Sequence, residues 1–326
     1  MSDILLEVNN LRTQFVTRWG TVKAVDDVTF HVRKGEVLGL VGESGSGKTV
    51  TCLSILRLVP QPAGCIVGGE IIFQNENLLA LSERRMREIR GGSISMILQD
   101  PVTSLNPVFT IGNQIFDVIK LHQHLKGTKL YEKALKILKM VGISSPEERV
   151  RLFPHELSGG MKQRVVGAIA ISCEPSLLIA DEPTTSLDAT IQAQYLRLLL
   201  DLQETIGLTT IFITHDFGVV ARMCNRVAVM YAGKIVEMAN VRELFNHPLH
   251  CYTEALMKSV PKIEKKIGRL NSIEGQPPSL HQIPAGCAFA PRCLMAKEIC
   301  KQGESPPMIE VENGHSVRCW RHNTGA

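Results

Sequence analysis

The eight residues Gly42-Glu-Ser-Gly-Ser-Gly-Lys-Thr49 have the types and spacing to hold a phosphate. Glycines at 42, 45 and 47 let backbone N–H groups close around an anion without Cβ clashes, and the helix that follows turns its positive end toward it. Ser44 and Ser46 complete the loop. Lys48 can reach the β- and γ-phosphates of a nucleotide, and the Thr49 hydroxyl can ligate Mg2+. Further along, Leu177-Leu-Ile-Ala-Asp181-Glu182 is an apolar run ending in two carboxylates. Asp181 there can meet Mg2+, directly or through its water, and Glu182 can polarise an attacking water as a general base. The plainer alternative is a pair of helix caps. Asp188, which directly precedes a helix beginning at Ala189, suits that role better than Asp181. Between the two motifs lies Leu157-Ser-Gly-Gly-Met161. Ser158, Gly159 and Gly160 open a helix there, and its free N–H groups make an anion site. The phosphate for that site must come from elsewhere, because the chain's own loop is already adjacent to Lys48.

These groups need a scaffold of alternating strands and helices. Residues 36–41 form a buried strand entering the loop, and the helix from about Lys48 to Leu58 ends before Pro60. Further strands are expected at 27–32, 70–73, 93–98, 177–180, 209–214 and 226–231. Helices are expected at 111–122, 130–141 and 189–206. This order implies an α/β sandwich on a mostly parallel sheet, with a helical lobe at about 100–171. After Tyr252 the periodicity fades and Pro and Gly become frequent, which reads as a linker followed by a small cysteine-held module. Gln99 starts the turn after one strand and His215 closes another; neither acquires a role from its own residue type and place.

The bulk composition is that of a globular protein, 44% apolar and 21% charged. Thirty-six basic against 32 acidic residues give +4, too balanced to argue for nucleic acid, and aromatic residues are few. No apolar run approaches the roughly 18 residues of a membrane span. The N-terminus lacks the basic and apolar regions of a signal peptide, so a cytosolic protein is expected, serving a membrane only by docking onto other proteins.

The order of the motifs resembles the ATP-binding subunit of ABC transporters over about residues 5–245. The resemblance implies an ABC-type nucleotide-binding domain: a RecA-like core, an N-terminal antiparallel β part and an inserted helical subdomain. It gives domains of 1–250 and 251–326, the second a small cysteine-rich extension. Gln99 would sense the γ-phosphate and Mg2+ while contacting the membrane subunit, and His215 would hold the γ-phosphate as a switch. Ser186-Leu-Asp188 would communicate across a dimer. Ser158, Gly159 and Gly160 would cap the γ-phosphate bound by a partner subunit. Phe15 or Trp19 would stack on adenine. Details at 99–107, 181–188, 247–253 and 286–293 look like the ATPases of dipeptide, oligopeptide and nickel importers. One departure is that Leu249-His-Cys251 separates Pro248 from Tyr252, where family members often run His-Pro-Tyr. The implied partners are two membrane-spanning permease subunits and a second, similar ATPase, a heterodimer before a homodimer. An extracytoplasmic substrate-binding protein acts indirectly and nucleic acid not at all. The implied location is peripheral, on the cytoplasmic face of the inner membrane. Nickel, metallophore and glutathione-type cargo stay open beside peptides. A soluble ABC ATPase of DNA repair or translation is the other class.

Nine cysteines are unevenly spread. Cys52, Cys65, Cys173, Cys224 and Cys251 read as small core residues. Cys287, Cys293, Cys300 and Cys319 crowd the tail with spacing C-x5-C-x6-C-x18-C, which matches neither the common zinc pairs nor the ferredoxin runs. Four thiolates still suffice for a metal, and stable disulfides are disfavoured in a reducing cytosol. With the resemblance, a [4Fe–4S] cluster is expected before Zn2+, in a structural role.

Overall fold

The computed structural model describes residues 3–185, 187–259, 273–312 and 314–323. Its strands in chain order are β1 (Ile4–Thr17), β2 (Gly20–Arg33), β3 (Val37–Val41), β4 (Gly64–Phe73), β5 (Glu76–Asn77), β6 (Ile94–Ile97), β7 (Leu177–Asp181), β8 (Thr209–Thr214), β9 (Arg226–Tyr231), β10 (Lys234–Asn240), β11 (Ile309–Glu312) and β12 (His315–Val317). The chain divides into two compact units. One comprises Met1–Asp3, Arg33–Glu36 and Ala80–Ile213; the other comprises Ile4–Val32, Val37–Leu79 and Thr214–Ala326.

In the first unit, β8, β7 and β6 lie side by side and parallel, Leu177 facing Thr209 on one flank and Ile94 on the other. Every residue of β7 is buried, as a strand covered on both faces requires. Helices complete this unit at Ile111–Gln123, Gly127–Met140, Gly159–Ile171 and Ala189–Ile206. Ile111, Ile115 and Ile119 line one face of the first, and Leu130, Ala134, Ile137 and Leu138 one face of the second. That three- and four-residue spacing is the stripe of an amphipathic helix.

The second unit carries an antiparallel sheet in the order β2-β1-β4-β5 and a run of strands β11-β12-β10-β9-β3. The 14-residue β1 went unread in the sequence because a register shift between Asn9 and Thr13, with Asn10 at φ 48°, breaks its alternation. Parallel pairing of β3 with β9 sets the strand that enters the phosphate loop.

The C-terminal residues do not form a compact unit of their own. Met238 of β10 faces Ser316 of β12, so the tail continues the sheet. Phe289 is buried against Tyr231 and Tyr252, with ring centroids 5.3 Å from each. Three aromatic side chains in one core bury more apolar surface than a polar tail could alone. Where the linker was expected to begin, after Tyr252, the helix Cys251–Ser259 continues instead, and residues 260–272 of that stretch lie outside the described residues.

Candidate functional site

The phosphate loop follows β3, all five residues of which are buried. Gly42 has φ 152° and Gly47 φ 105°; a Cβ would stand 2.2 Å from the Met230 carbonyl oxygen at the first and 2.4 Å from that of Ala24 at the second. Only glycine fits either place. Helix Lys48–Ile55 begins at Gly47 with no side-chain cap and no acidic residue in its first turn, which leaves its N–H groups for an anion. Lys48 is 5% exposed, and its ammonium donates to the carbonyls of Gly42 (2.8 Å) and Glu43 (2.9 Å) and to Ser46 Oγ (3.4 Å). Ser46 is buried, and its carbonyl accepts from the Gly233 N–H at 2.9 Å. Ser44, Gly45 and Thr49 are exposed along the rim.

Glu43 is tied from the C-terminal part of the same unit. Arg292 donates from both terminal nitrogens to its carboxylate, at 2.7 and 3.0 Å, and the Glu43 N–H donates to Tyr252 Oη at 2.8 Å. Glu43, Tyr252 and Arg292 each lie in a stretch singled out in the sequence, but nothing there showed that they meet, because the pairing spans more than two hundred residues.

In the other unit, Asp181 is buried at the end of β7, and Glu182 follows it at φ 45° with its N–H donating to the Ile213 carbonyl at 3.0 Å. Glu182 Oε2 accepts from Gln99 Nε2 at 3.0 Å and from the Thr185 hydroxyl at 3.1 Å. Two residues read separately from the sequence therefore meet. Ser158 caps helix Gly159–Ile171 by accepting from the Met161 N–H at 3.4 Å. Gln163, one turn on, donates to the Pro183 carbonyl at 2.6 Å and ties the Ser-Gly-Gly helix to the turn after Glu182; sequence reading missed it. Asp188 is a helix cap, accepting from Thr190 and Ile191. Ser186 lies outside the described residues.

His215 is exposed immediately after β8, and the next residue, Asp216, caps helix Phe217–Met223 through the Gly218 N–H at 2.7 Å. Phe15 is half-buried opposite Gly64 across β1 and β4. Trp19 is 71% exposed in the turn between β1 and β2, with the Arg18 guanidinium 3.9 Å above its ring.

The four tail cysteines line one cavity of about 180 Å3, and Cys251 is a fifth in its wall. Cys251, read as a core residue, packs against the buried cluster of this unit and also stands in the cavity wall, whereas Cys65, read the same way, is exposed. Hydrogen bonding from Cys319, and secondarily from Cys293, draws the Cys251 thiol down to about 6. The same bond raises Cys319, and burial pushes Cys293 up to about 12 and raises Cys287. Among the described residues no three His, Cys, Asp or Glu side chains form a group that could hold a metal ion. Cys287, Cys293, Cys300 and Cys319, expected as ligands for iron–sulfur or zinc, thus share one cavity without forming a ready metal group there. A tetrahedral Zn2+ needs its sulfurs to converge about 2.3 Å from one point, whereas Cys319 and Cys293 bond to Cys251 in the cavity wall.

Residues 25–185 match the family model described as ABC transporter, and residues 236–300 match that of the oligopeptide/dipeptide transporter C-terminal region. The chain is 52% identical to the probable peptide ABC transporter ATP-binding protein y4tR of Sinorhizobium fredii, over 99% of this chain and 96% of that protein. It is 50% identical to the oligopeptide transport ATP-binding protein OppD of Bacillus subtilis, over 97% of this chain and 88% of that protein. Among solved structures it is similar to a post-hydrolysis state of the ATP-binding cassette MJ0796 bound to ADP and Pi. The TM-score is 0.66 at 25% identity, covering 73% of this chain and 99% of that one. The chain belongs to the ATP-binding proteins of ABC transporters. It is an ATPase with the α/β cassette fold of that family.

Proposed function

We propose that this chain is the energy-coupling ATPase of a prokaryotic importer of dipeptides or oligopeptides. The observation that carries the reading is end-to-end similarity to proteins named for peptide transport, extending through a C-terminal region characteristic of peptide transporters.

In this reading the loop from Gly42 through Ser44, Gly45, Ser46 and Gly47 to Lys48 holds the phosphates of ATP. Thr49, Gln99 and Asp181 attend Mg2+. Glu182 takes the proton of the attacking water, with Gln99 and Thr185 orienting its carboxylate, and His215 contacts the γ-phosphate. Ser158, Gly159 and Gly160 offer their helix terminus to the ATP of a partner ATPase. Trp19, exposed at its turn, stacks on adenine, and Phe15 packs on the backbone of Gly64. Among the described residues no helix is long and apolar enough to cross a membrane. In this reading the chain docks on two permease subunits at the cytoplasmic face. A second, similar ATPase completes the dimer.

The cysteine cavity is proposed to take a [4Fe–4S] cluster, because the donor set is all thiol and a cube of four irons accepts thiolates set wider apart than one ion does. Cys287, Cys293, Cys300 and Cys319 would hold it, tying the 287–300 segment to the turn at Cys319. Iron and acid-labile sulfide in anaerobically purified protein support this; a colourless, iron-free preparation removes it.

The transport reading is tested by isolating the tagged chain from native membranes with mass spectrometry of its companions. Two multi-spanning proteins, a second ATPase and a peptide-binding receptor are expected. Recovery with ribosomes or DNA would overturn it.

A further inference from the structure

Glu43, the second residue of the phosphate loop, is held by both its side chain and its main chain from the C-terminal part of the protein. Arg292 meets its carboxylate fork to fork, with Nη1 on Oε2 at 2.7 Å and Nη2 on Oε1 at 3.0 Å. Such paired bonds fix direction as well as distance. Tyr252 Oη accepts the Glu43 N–H at 2.8 Å. Neither anchor is loose. The Arg292 side chain is 5% exposed, its Nε donates to the Glu274 carbonyl at 3.1 Å, and Nη1 also reaches Tyr231 Oη at 3.4 Å. Tyr252 is fully buried, its ring 4.5 Å from that of Tyr231 and 5.3 Å from that of Phe289. The carbonyl of the same Glu43 accepts from Lys48 Nζ at 2.9 Å. One residue thus joins the C-terminal anchors to the lysine of the loop.

We infer that Arg292 and Tyr252 are positioning residues of the ATP site, setting the Glu43 peptide and with it the curvature of the loop around Lys48. Arg292 ends the turn Ala290–Arg292, directly before Cys293 of the cavity wall. The segment that shapes the cysteine cavity therefore also grips the phosphate loop, which makes nucleotide affinity a property of the tail. The inference rests on the reading of Gly42–Thr49 as the phosphate site.

The alternative is a plain staple that holds the tail down. A staple alters melting; a positioning pair alters nucleotide affinity and is coupled across the bond. The test measures binding of a fluorescent ATP analogue to the full chain, KM and kcat for ATP, and melting temperature. Arg292→Ala should weaken binding by about tenfold, the scale of one charge-assisted hydrogen bond. It should raise KM for ATP while kcat stays within about twofold. Arg292→Lys should recover part of the loss. Arg292→Ala with Glu43→Ala should be no weaker than the weaker single variant, because the two act through one bond. Tyr252→Phe, which removes one oxygen and keeps the packing, should weaken binding with little change in melting. Wild-type affinity in both Arg292→Ala and Tyr252→Phe, beside lost binding in Lys48→Ala, would overturn the inference and leave a staple. Retained binding in Lys48→Ala would overturn the loop reading itself.

Discussion

Glu182 accepts a hydrogen bond from Gln99 at 3.0 Å, although 83 residues separate them. Thr185 supplies a second donor to the same oxygen, and the left-handed backbone at Glu182 is held by its N–H on the Ile213 carbonyl. A non-glycine residue stays in that conformation when its surroundings hold it there, which is common where a side chain must be aimed. Glu182→Gln preserves shape but removes the proton acceptor. ATP binding should persist while turnover falls by a factor on the order of 10²–10⁴. Phosphate release beside equilibrium nucleotide binding reads both quantities. Near-normal turnover would take the general-base role from Glu182.

Gly159 offers a test of the partner-facing helix end. A Cβ there meets nothing within 4 Å, so Gly159→Glu should fold with an unchanged melting temperature. Its carboxylate would stand at the helix terminus proposed for a partner's γ-phosphate, and repulsion there should abolish hydrolysis. Nucleotide affinity of the isolated chain should hold, because its own loop is untouched. Full ATPase activity in this variant would remove the Ser-Gly-Gly segment from the site.

Much of this site was legible because its chemistry is local. The loop from Gly42 to Thr49, the buried run into Asp181 and the cap at Asp188 each lie within a few residues of sequence, where spacing and periodicity act. Fully buried strands such as Leu177–Asp181 read as apolar runs. The unread parts are long-range or irregular. β1 was hidden by its bulge, and Arg292 reaches Glu43 only after the chain has folded. Linear spacing grouped the four tail cysteines without Cys251, which the helix beginning at residue 251 carries to the same cavity. The tail looked like a separate module because its strands are short, three and four residues, and borrow their partner from β10.

Glu237 anchors the junction of sheet and tail. Its carboxylate is fully buried and accepts from the N–H groups of Leu249 (2.7 Å) and His250 (2.9 Å) and from His315 Nε2 (2.8 Å). Glu237→Gln puts an amide NH2 among three donors and should cost roughly 2–4 kcal/mol. Urea unfolding measures it. A loss under about 0.5 kcal/mol, the range of an ordinary surface substitution, would mean the three donors find other acceptors.

His250 makes that junction sensitive to acid. Its Nδ1 accepts the Tyr252 N–H at 3.1 Å, which requires an unprotonated nitrogen. Burial lowers the imidazole from 6.5 to about 4, against the opposing pull of Glu237. The folded state therefore binds its proton later than the unfolded chain does. The stabilisation is fully present above pH 6.5 and is lost as pH falls from there toward 4. By pH 5 the loss should reach about 2 kcal/mol from this one group. In His250→Asn the Oδ1 can take the Tyr252 N–H and nothing titrates, so unfolding free energies at pH 7.5 and pH 5 should lie closer together by that amount. An equal fall in wild type and variant would assign the acid sensitivity to other groups.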